Sequence, residues 1–414
     1  MKANCSLDFL HIPLALILCT AGPAVAAIET DEAGNAGASF RACVSDLGDR
    51  AIRAGVRATT VDTHLPGISF IERVIELDRH QPEFTTTFAD YLGRRVTQER
   101  VERGREVLEE HRALLEDLSA EYGVPPQYLV AFWGLETNYG SYTGNMPVLD
   151  SLATLACDGR RGEFFSRELI AALEILDDDA IPVERMRGSW AGAMGHVQFM
   201  PSVFRRYAID RDGSGRRDLW GSTEDAMASA ANFLRALGWE RGYRWGREVS
   251  LPEGFPYAEI GRETRKSLAQ WRELGVTTAW GHPLPDVDIE ASILLPAGHR
   301  GPAFLVYDNF RIIMGWNPSE FYALSVGHLA DRIAGAGDLR HAPPADAPRL
   351  TRAQVMALQK RLNDKGFISG VPDGIAGPMT RRAVSQFQQA HDLVPDGFLS
   401  AEVLYLLDVS PEES

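Results

Sequence analysis

The sequence predicts a mainly α protein of the α+β class. It has a helical N-terminal part, a small β-containing insertion and a small three-helix unit at the C-terminal end. Three observations support this. Apolar residues recur at helical spacing over most of residues 37–335. Between residues 243 and 307, prolines and glycines separate short apolar runs that are typical of strands. Residues 336–349 are rich in Pro, Ala and Gly, which indicates a linker before the last unit, residues 350–408.

Composition places the chain among ordinary globular proteins. It has 414 residues, of which 45% are hydrophobic and 24% charged, enough for two or three domains. The formal charge of -15 argues against a nucleic-acid partner, because phosphate backbones are bound by clustered Lys and Arg. An anionic polymer would therefore have to be recognised by local contacts.

The first 26 residues are typical of an export signal. Lys2 precedes the apolar stretch Ile12–Cys19, and Ala24-Val25-Ala26 forms a small-x-small cleavage site. The apolar stretch is too short to span a bilayer, and no later segment is long enough. Leu18 stands where a lipoprotein signal has a small residue, so we do not expect a lipid anchor at Cys19. The chain is predicted to be exported as a soluble protein.

Cleavage after Ala26 would leave two of the four cysteines, Cys43 and Cys157. Two cysteines in an exported chain favour a disulfide bond between them. Two buried free thiols are the alternative, which the sequence leaves open.

The spacing of apolar residues predicts further helices and strands. Phe70, Val74, Ile75 and Leu77 mark one helix, and residues 97–118 carry apolar side chains at helical spacing among many charges. Further helices are predicted at Ser166–Leu176, Asp225–Leu237 and Ser319–Ala334, and strands at Ala291–Leu295 and Phe304–Tyr307.

Glu136 lies at the end of another predicted helix, which begins after two prolines and stops before a glycine. Leu129, Phe132, Trp133 and Glu136 fall at i, i+3, i+4 and i+7, so a carboxylate continues an apolar face. Desolvation and the negative end of the helix dipole would disfavour its charged form. A carboxyl group that stays neutral near pH 7 can act as a general acid. The alternative is a structural ion pair or a side chain that reaches solvent.

Residues 187–201 form a run of small residues interrupted by the polar Ser189 and Gln198. Small residues let a bulky ligand approach the backbone closely, and a glutamine amide offers both a donor and an acceptor. A tight helix–helix contact could require the same small residues.

Asp210, Asp212 and Ser214 occupy positions 1, 3 and 5 of a loop with Gly at position 6, which matches the opening of an EF-hand loop. The pattern then departs, because position 12 is Gly221. A turn rich in Asp and Gly without a metal is the alternative to a calcium site.

In the last unit, Thr351 is a plausible N-cap before the apolar stripe Val355, Leu358 and Leu362. The string Asp373-Gly374-Ile375-Ala376-Gly377-Pro378-Met379-Thr380 leads into a second helix, and a short third helix follows Ser400.

Together these segments resemble a peptidoglycan lytic transglycosylase of the membrane-bound lytic murein transglycosylase B type, with a lysozyme-like core. The matching stretches are Val74–Arg79 with Gln81–Phe84, Gly134–Gly140, Ser189–Pro201, Asp218–Trp220 with Ala230–Leu234, and Trp316-Asn317 with Tyr322. The last unit is similar to the three-helix peptidoglycan-binding domain of many wall hydrolases. The resemblance implies a catalytic domain at residues 37–335, a peptidoglycan-binding domain at residues 350–408 and a periplasmic location.

The resemblance makes Glu136 the sole catalytic acid/base. It also implies a substrate groove beside Glu136 and a lengthened EF-hand-like loop that binds calcium. The implied groove residues are Ser189, Gln198, Asn317, Tyr322, Phe233, Trp316 and Tyr139. The implied calcium ligands are Asp210, Asp212, Ser214, the carbonyl of Arg216, and Glu224. The family often has tyrosines where this chain has Phe233, Trp316 and Phe164. These replacements keep a stacking face but lose a hydroxyl or change the ring size.

The implied reaction uses one carboxylate. Glu136 would protonate the glycosidic oxygen between MurNAc and GlcNAc and then take the proton from the MurNAc C6 hydroxyl, which closes onto C1. The product has 1,6-anhydro-MurNAc ends, and the chemistry needs no cofactor. A glycosidase that uses water normally needs a second carboxylate, for which Asp150, Asp158 and Glu163 are near enough in sequence to be considered. A water-using lysozyme-type hydrolase and a non-catalytic wall-binding scaffold are the alternatives.

Overall fold

The computed structural model describes residues 32–79, 86–178 and 181–410. The predicted export signal with Cys19, and the stretch Gln81–Phe84, lie outside these residues. The helices are α1 Glu32–Ala54, α2 Ala58–His64, α3 Glu72–Arg79, α4 Phe88–Arg95, α5 Gln98–Glu110, α6 Arg112–Tyr122, α7 Pro126–Thr137, α8 Val148–Asp158, α9 Gly162–Asp178, α10 Pro201–Tyr207, α11 Thr223–Ala236, α12 Leu268–Glu273, α13 Asp308–Trp316, α14 Glu320–Ile333, α15 Arg352–Asp364, α16 Pro378–Ala390 and α17 Ala401–Leu406. The strands are β1 Met146–Pro147, β2 Arg187–Gly188, β3 Gly246–Ser250, β4 Lys266–Ser267, β5 Thr277–Thr278, β6 Glu290–Leu294 and β7 Ala303–Val306.

The predicted fold class is confirmed: the protein is mostly helical with a small sheet. Two predictions differ in detail: the helix expected from Phe70 begins at Glu72, and the helical stretch at residues 97–118 is divided in two. Residues 97–118 form α5 and α6, which meet at His111, where the backbone leaves the helical region (φ -109°, ψ 19°). Thr97 starts α5 as an N-cap that accepts a hydrogen bond from the Arg100 N–H at 3.2 Å. The His111 ring packs edge-on against Trp133 with a centroid distance of 5.6 Å, so the break places a ring against α7.

The β-containing insertion is an antiparallel sheet with strand order β4-β6-β7-β3-β5. Its centre is the β6–β7 pair, in which Ile293 lies opposite Leu305. These two residues, with Val249 and Trp271, belong to an apolar cluster separate from that of the helical core. A second, two-stranded sheet pairs β1 with β2 and brings residue 146 opposite residue 188.

Helix α7 lies at the centre of the helical core. Nine of its twelve residues are buried, and α5, α6, α11 and α14 pack around it. The prediction of a single apolar face with Leu129, Phe132 and Trp133 therefore understates how much of α7 is buried. The helix is surrounded, and the three residues that retain access to solvent are Pro126 and Gln127 at its start and Glu136 in its final turn.

Cys43 of α1 and Cys157 of α8 are joined by a disulfide bond, with their Cα atoms 6.0 Å apart. Nearby, the Arg50 guanidinium pairs with Glu163 at 2.8 Å. The bond ties the first described helix to the helix pair that follows α7.

The C-terminal unit has its own core. Leu358 and Leu362 of α15, Val384 and Phe387 of α16, and Val403 of α17 pack together in a cluster confined to residues 350–409. Apolar burial that is complete within one segment is typical of a separately folding domain.

The linker is held against the part of the chain that precedes it by polar contacts, so it is less free than its composition suggests. The backbone N–H groups of Arg340 and His341 both donate to the Glu248 carboxylate at 2.7 Å. The Arg349 guanidinium makes a bidentate pair with Asp90 at 2.8 and 2.9 Å.

A direct contact also joins the two domains. The loop after β6 places the N–H and the Nδ1 of His299 against Asp396 Oδ2, at 2.8 and 2.7 Å. Asp396 is buried, and its other oxygen accepts from Gln388 Nε2 at 2.8 Å. Among the described residues, no helix is both long and apolar enough to cross a membrane.

Candidate active site

Glu136 occupies the last turn of α7, just before Asn138 ends the helix in the left-handed region (φ 49°). Its side chain is half-buried. Oε1 accepts two hydrogen bonds, one from Trp316 Nε1 at 2.9 Å and one from the Tyr322 hydroxyl. No described residue donates to Oε2, so that oxygen is the one available to a ligand.

Burial raises the pKa of Glu136 from 4.5 to about 7. Three influences oppose this rise: the hydrogen bonds from Tyr322 and Trp316, and the positive charge of Arg95. Desolvation disfavours the carboxylate more than these groups favour it. Near neutral pH, Glu136 is therefore divided between its acid and base forms.

An aromatic cluster forms the wall behind the carboxyl group. The Trp316 ring lies 4.5 Å from Phe132 and 5.3 Å from both Phe199 and Phe233, between ring centroids. Phe233 is itself buried, with its ring 4.8 Å from Tyr207. The resemblance implied a stacking role for Trp316 and Phe233, and the structure shows that Trp316 is also a hydrogen-bond donor to Glu136.

The small-residue loop after β2 folds back on itself. Ser189 N–H donates to the Ala193 carbonyl at 2.8 Å, and the Ala193 N–H donates to Ser189 Oγ at 3.0 Å. A Cβ added at Gly188 would lie 2.0 Å from the Ala193 oxygen, and one at Gly195 would lie 2.5 Å from the Leu219 oxygen. Close backbone approach within the loop therefore requires small residues. Because Ser189 Oγ accepts from the backbone, its own proton remains available to donate.

Gln198 is fixed by the same loop. Its backbone is left-handed (φ 48°), and its Nε2 donates to the carbonyl oxygens of Thr143 and Gly195, both at 2.9 Å. The two amide protons are thereby used, so the side chain offers an acceptor, Oε1, rather than both functions.

Asn317 follows Trp316 at the end of α13. Its Oδ1 accepts the Ser319 N–H at 3.1 Å, so the side chain helps to begin α14, which carries Tyr322. Asn317 is half-buried, and its amide group remains a donor.

Tyr139 does not line the groove, contrary to the prediction. Its backbone is left-handed (φ 59°), which turns the ring into the core, where it is 9% exposed. Its hydroxyl donates to the Arg100 carbonyl at 2.6 Å. A Cβ added at Gly134 would lie 2.7 Å from this ring, so the glycine makes room for it. Tyr139 is a packing residue behind the acid, not a groove residue.

The sequence reasoning missed two contributors. His196 Nδ1 accepts from Trp133 Nε1 at 3.0 Å, and its carbonyl accepts from Thr137 Oγ1 at 2.9 Å, which ties the small-residue loop to α7. Burial lowers the pKa of His196, so the ring is a neutral acceptor at pH 7. Arg95 is the second; it precedes Glu136 by about 40 residues, and no pattern in the sequence connects the two.

The three other carboxylates considered from the sequence are engaged elsewhere. Asp150 accepts the Ser69 N–H at 2.9 Å, Asp158 pairs with Arg79 at 2.9 Å, and Glu163 pairs with Arg50. These contacts fasten the N-terminal helices to α8 and α9.

The acidic loop brings three carboxylates together: oxygens of Asp210, Asp212 and Asp225 lie within 4.8 Å of one another. The third carboxylate of this cluster is Asp225, not the predicted ligand Glu224. Ser222 caps α11, and this turns Asp225 inward, where it accepts from the N–H groups of residues 211, 212 and 218, while Glu224 is exposed. Ser214 Oγ donates to the Arg216 carbonyl at 3.3 Å. A set made only of oxygen donors with several carboxylates suits a hard cation such as Ca²⁺.

Comparisons with known proteins agree on both domains. The family described as "Transglycosylase SLT domain" matches residues 39–331, and the family described as "Putative peptidoglycan binding domain" matches residues 351–407. Membrane-bound lytic murein transglycosylase B of Escherichia coli (strain K12) is 33% identical over 250 residues. That alignment covers 59% of this chain and 66% of the relative, just under two thirds of its length.

Solved structures are similar over more of the chain. SltB3 from Pseudomonas aeruginosa, in complex with NAG-anhNAM-pentapeptide, is 44% identical with a TM-score of 0.86, covering 89% of this chain and 99% of that one. The Escherichia coli lytic transglycosylase Slt35, in complex with calcium, is 30% identical with a TM-score of 0.61, covering 70% of this chain and 92% of that one.

Proposed function

Because the chain belongs to the transglycosylase SLT family, we propose that it cleaves the β-1,4 bond between MurNAc and GlcNAc of peptidoglycan without water. The products carry 1,6-anhydro-MurNAc ends, and the activity serves remodelling and turnover of the cell wall. The observation that carries the proposal is a single half-buried carboxyl group, Glu136, with a pKa near 7 against an aromatic wall.

The hydrogen bonds at Glu136 assign a different task to each oxygen. Trp316 and Tyr322 both donate to Oε1, so the transferable proton resides on Oε2. In the first step, Oε2–H protonates the glycosidic oxygen, the C1–O bond breaks, and an oxocarbenium-like centre forms on MurNAc. The carboxylate that results is stabilised by the two donors.

In the second step, the same carboxylate removes the proton from the C6 hydroxyl of MurNAc while O6 bonds to C1. Glu136 regains its proton, and no water is consumed. A pKa near the working pH suits both roles, because the group must donate and accept in one cycle.

The polar residues around the acid would position the sugar. The Ser189 hydroxyl and the Asn317 amide can donate, and Gln198 Oε1 can accept, so together they suit the hydroxyl and N-acetyl groups of an amino sugar. Trp316 would supply the apolar surface, and the buried Phe233 packs behind it.

Mass spectrometry of digested wall tests the proposal. An anhydro product weighs one water less than a hydrolysed one, so the two reactions are distinguished directly. Glu136→Gln, which keeps the shape but removes the transferable proton, should release no muropeptides. Products that carry the extra water would instead identify a lysozyme-type hydrolase.

We also propose that the acidic loop holds a structural calcium ion. Asp210, Asp212 and Ser214 would be the main ligands, with the carbonyl of Arg216. Asp225 lies within reach in this structure, while Glu224 lines an open cavity together with Asp212. Either carboxylate could complete the site. The ion would stabilise the loop and take no part in the chemistry.

The remaining parts of the chain would deliver the enzyme to its substrate. Residues 1–26 would direct export to the periplasm, with cleavage after Ala26. Residues 350–408 would bind the wall and keep the catalytic domain, residues 37–335, close to it, with residues 336–349 as the connection. Fractionation of cells and pull-down of the isolated last domain with insoluble wall would test these roles.

A further inference from the structure

Arg95, the last residue of α4, has no ionic partner among the residues that the structure describes. Its side chain is half-buried, and its guanidinium carbon lies 5.4 Å from the centroid of the Tyr91 ring. The neighbouring Arg94 differs: it is exposed and donates to the Asp90 carbonyl at 3.1 Å. Glu136, the carboxyl group that this charge influences, is only partly ionised near neutral pH, so the half-buried cation lacks a full counter-charge, which a ligand can supply.

Two sets of contacts fix Arg95 beside the acid. On one side, the Tyr91 ring packs 5.9 Å from Phe321, and the next residue, Tyr322, donates to Glu136. On the other side, the Arg100 guanidinium donates both to the Arg95 carbonyl and to Asn138 Oδ1, two residues beyond Glu136. The guanidinium charge is near enough to lower the pKa of both Glu136 and Tyr322.

We propose that Arg95 binds a carboxylate of the peptidoglycan strand next to the bond that is cleaved. This inference rests on the proposed function, because it assigns a contact to that substrate. The chain carries a net charge of -15, so an anionic strand gains nothing from long-range attraction and needs a local cation. A guanidinium group is suited to the task, because it matches a carboxylate with two parallel hydrogen bonds.

The carboxylate has two sources. MurNAc without a peptide carries a free lactyl carboxylate. When a stem peptide is attached, the lactyl group is an amide, and the carboxylates belong to the peptide. Peptide-bearing glycan and glycan stripped of its peptides therefore separate the two sources.

The test compares Arg95→Gln and Arg95→Lys with the matched control Arg94→Gln on the same helical turn. KM and kcat are measured on soluble peptide-bearing glycan, on stripped glycan and on peptide-bearing glycan whose carboxylates have been amidated. Arg95→Gln should raise KM roughly tenfold on a carboxylate substrate, the effect of losing one charge-assisted hydrogen-bonded pair. Its kcat should stay within about twofold at a pH where Glu136 is protonated in both proteins, and Arg95→Lys should restore part of the affinity.

The outcomes separate the possibilities. A rise in KM on the peptide-bearing glycan alone assigns the stem peptide, and a rise on the stripped glycan assigns the lactyl group. An unchanged KM on both, or an equal rise on the amidated substrate, overturns the proposal, because a packing role does not depend on substrate charge. Binding of the same three glycans to the Glu136→Gln protein gives the affinities without turnover. A wrong reaction assignment would appear instead as hydrolysed products of the wild-type enzyme.

Discussion

Glu136 should reduce the stability of the fold at neutral pH. The unfolded chain ionises this residue with an ordinary pKa of 4.5, whereas in the folded protein the pKa is about 7. A group whose pKa is raised on folding contributes stability below its unfolded pKa and loses it as the pH rises through the folded pKa. At 1.36 kcal/mol per pKa unit, the loss between pH 4 and pH 8 is about 3 kcal/mol.

Glu136→Gln removes this dependence and leaves the surroundings nearly unchanged. The glutamine oxygen can still accept from Trp316 and Tyr322, the two donors at Oε1. We expect the variant and the wild-type protein to be similar in stability near pH 4. By pH 7 to 8 the variant should gain about 3 kcal/mol relative to wild type. Urea unfolding followed by tryptophan fluorescence at several pH values measures the difference, in which all other titrating groups cancel.

Glu163→Gln is the matched control. It removes an exposed carboxylate whose pair with Arg50 is open to solvent, and such pairs contribute little to stability. If the difference between Glu136→Gln and wild type stays constant from pH 4 to pH 8, the acid is not held at a raised pKa, and the reasoning on its dual role fails.

Further predictions concern the site, the disulfide, the loop and the last domain. Trp316→Phe removes a donor that favours the carboxylate, so the pKa of the acid should rise and the alkaline limb of the kcat/KM profile should move to higher pH; a shift to lower pH would contradict this. Replacing Cys43 and Cys157 by serine opens a loop of 114 residues and should lower the free energy of unfolding by about 4–5 kcal/mol in the chain-entropy model, whereas an unchanged urea midpoint would argue against the bond. Millimolar calcium should raise the Tm of the wild-type protein by an amount that keeps growing with calcium concentration above the Kd, and Asp212→Asn should weaken the response; a Tm indifferent to calcium would favour a bare turn. Deleting the chain from Pro348 onward should leave a folded enzyme, because the last domain has its own core, and should slow digestion of intact sacculi more than of soluble fragments; equal losses would mean that this domain helps to build the active site.

The local features of the fold were accessible from the sequence because they depend on nearby residues. Periodicity located the helix of Glu136, and punctuation by prolines and glycines located β6 and β7. The extent of burial around α7 was not accessible, because the helices that enclose it are distant in the chain. The break at His111 was also missed, since apolar spacing continues through it.

The same distinction between nearby and distant residues applies to the candidate active site. Glu136 could be identified from its place on an apolar face, but its partner Trp316 lies 180 residues away, and only the fold shows that its N–H points at the acid. Tyr139 was assigned to the groove because it sits beside the acid in sequence; a left-handed backbone turns it inward. Asp225 and Glu224 are adjacent, and the cap at Ser222 decides which of them faces the loop.

The anchoring of the linker changes how the last domain can work. A free chain of this composition would be a flexible linker. The distance between its ends would vary, and insertions or deletions would have little effect. Here Glu248 accepts hydrogen bonds from the chain near residue 340, Asp90 pairs with Arg349, and His299 donates to Asp396. The connection therefore acts as a rigid spacer. The distance from a wall strand held by the last domain to the acid would then be a fixed dimension of the molecule. Inserted residues would bulge between the anchor points without lengthening that reach.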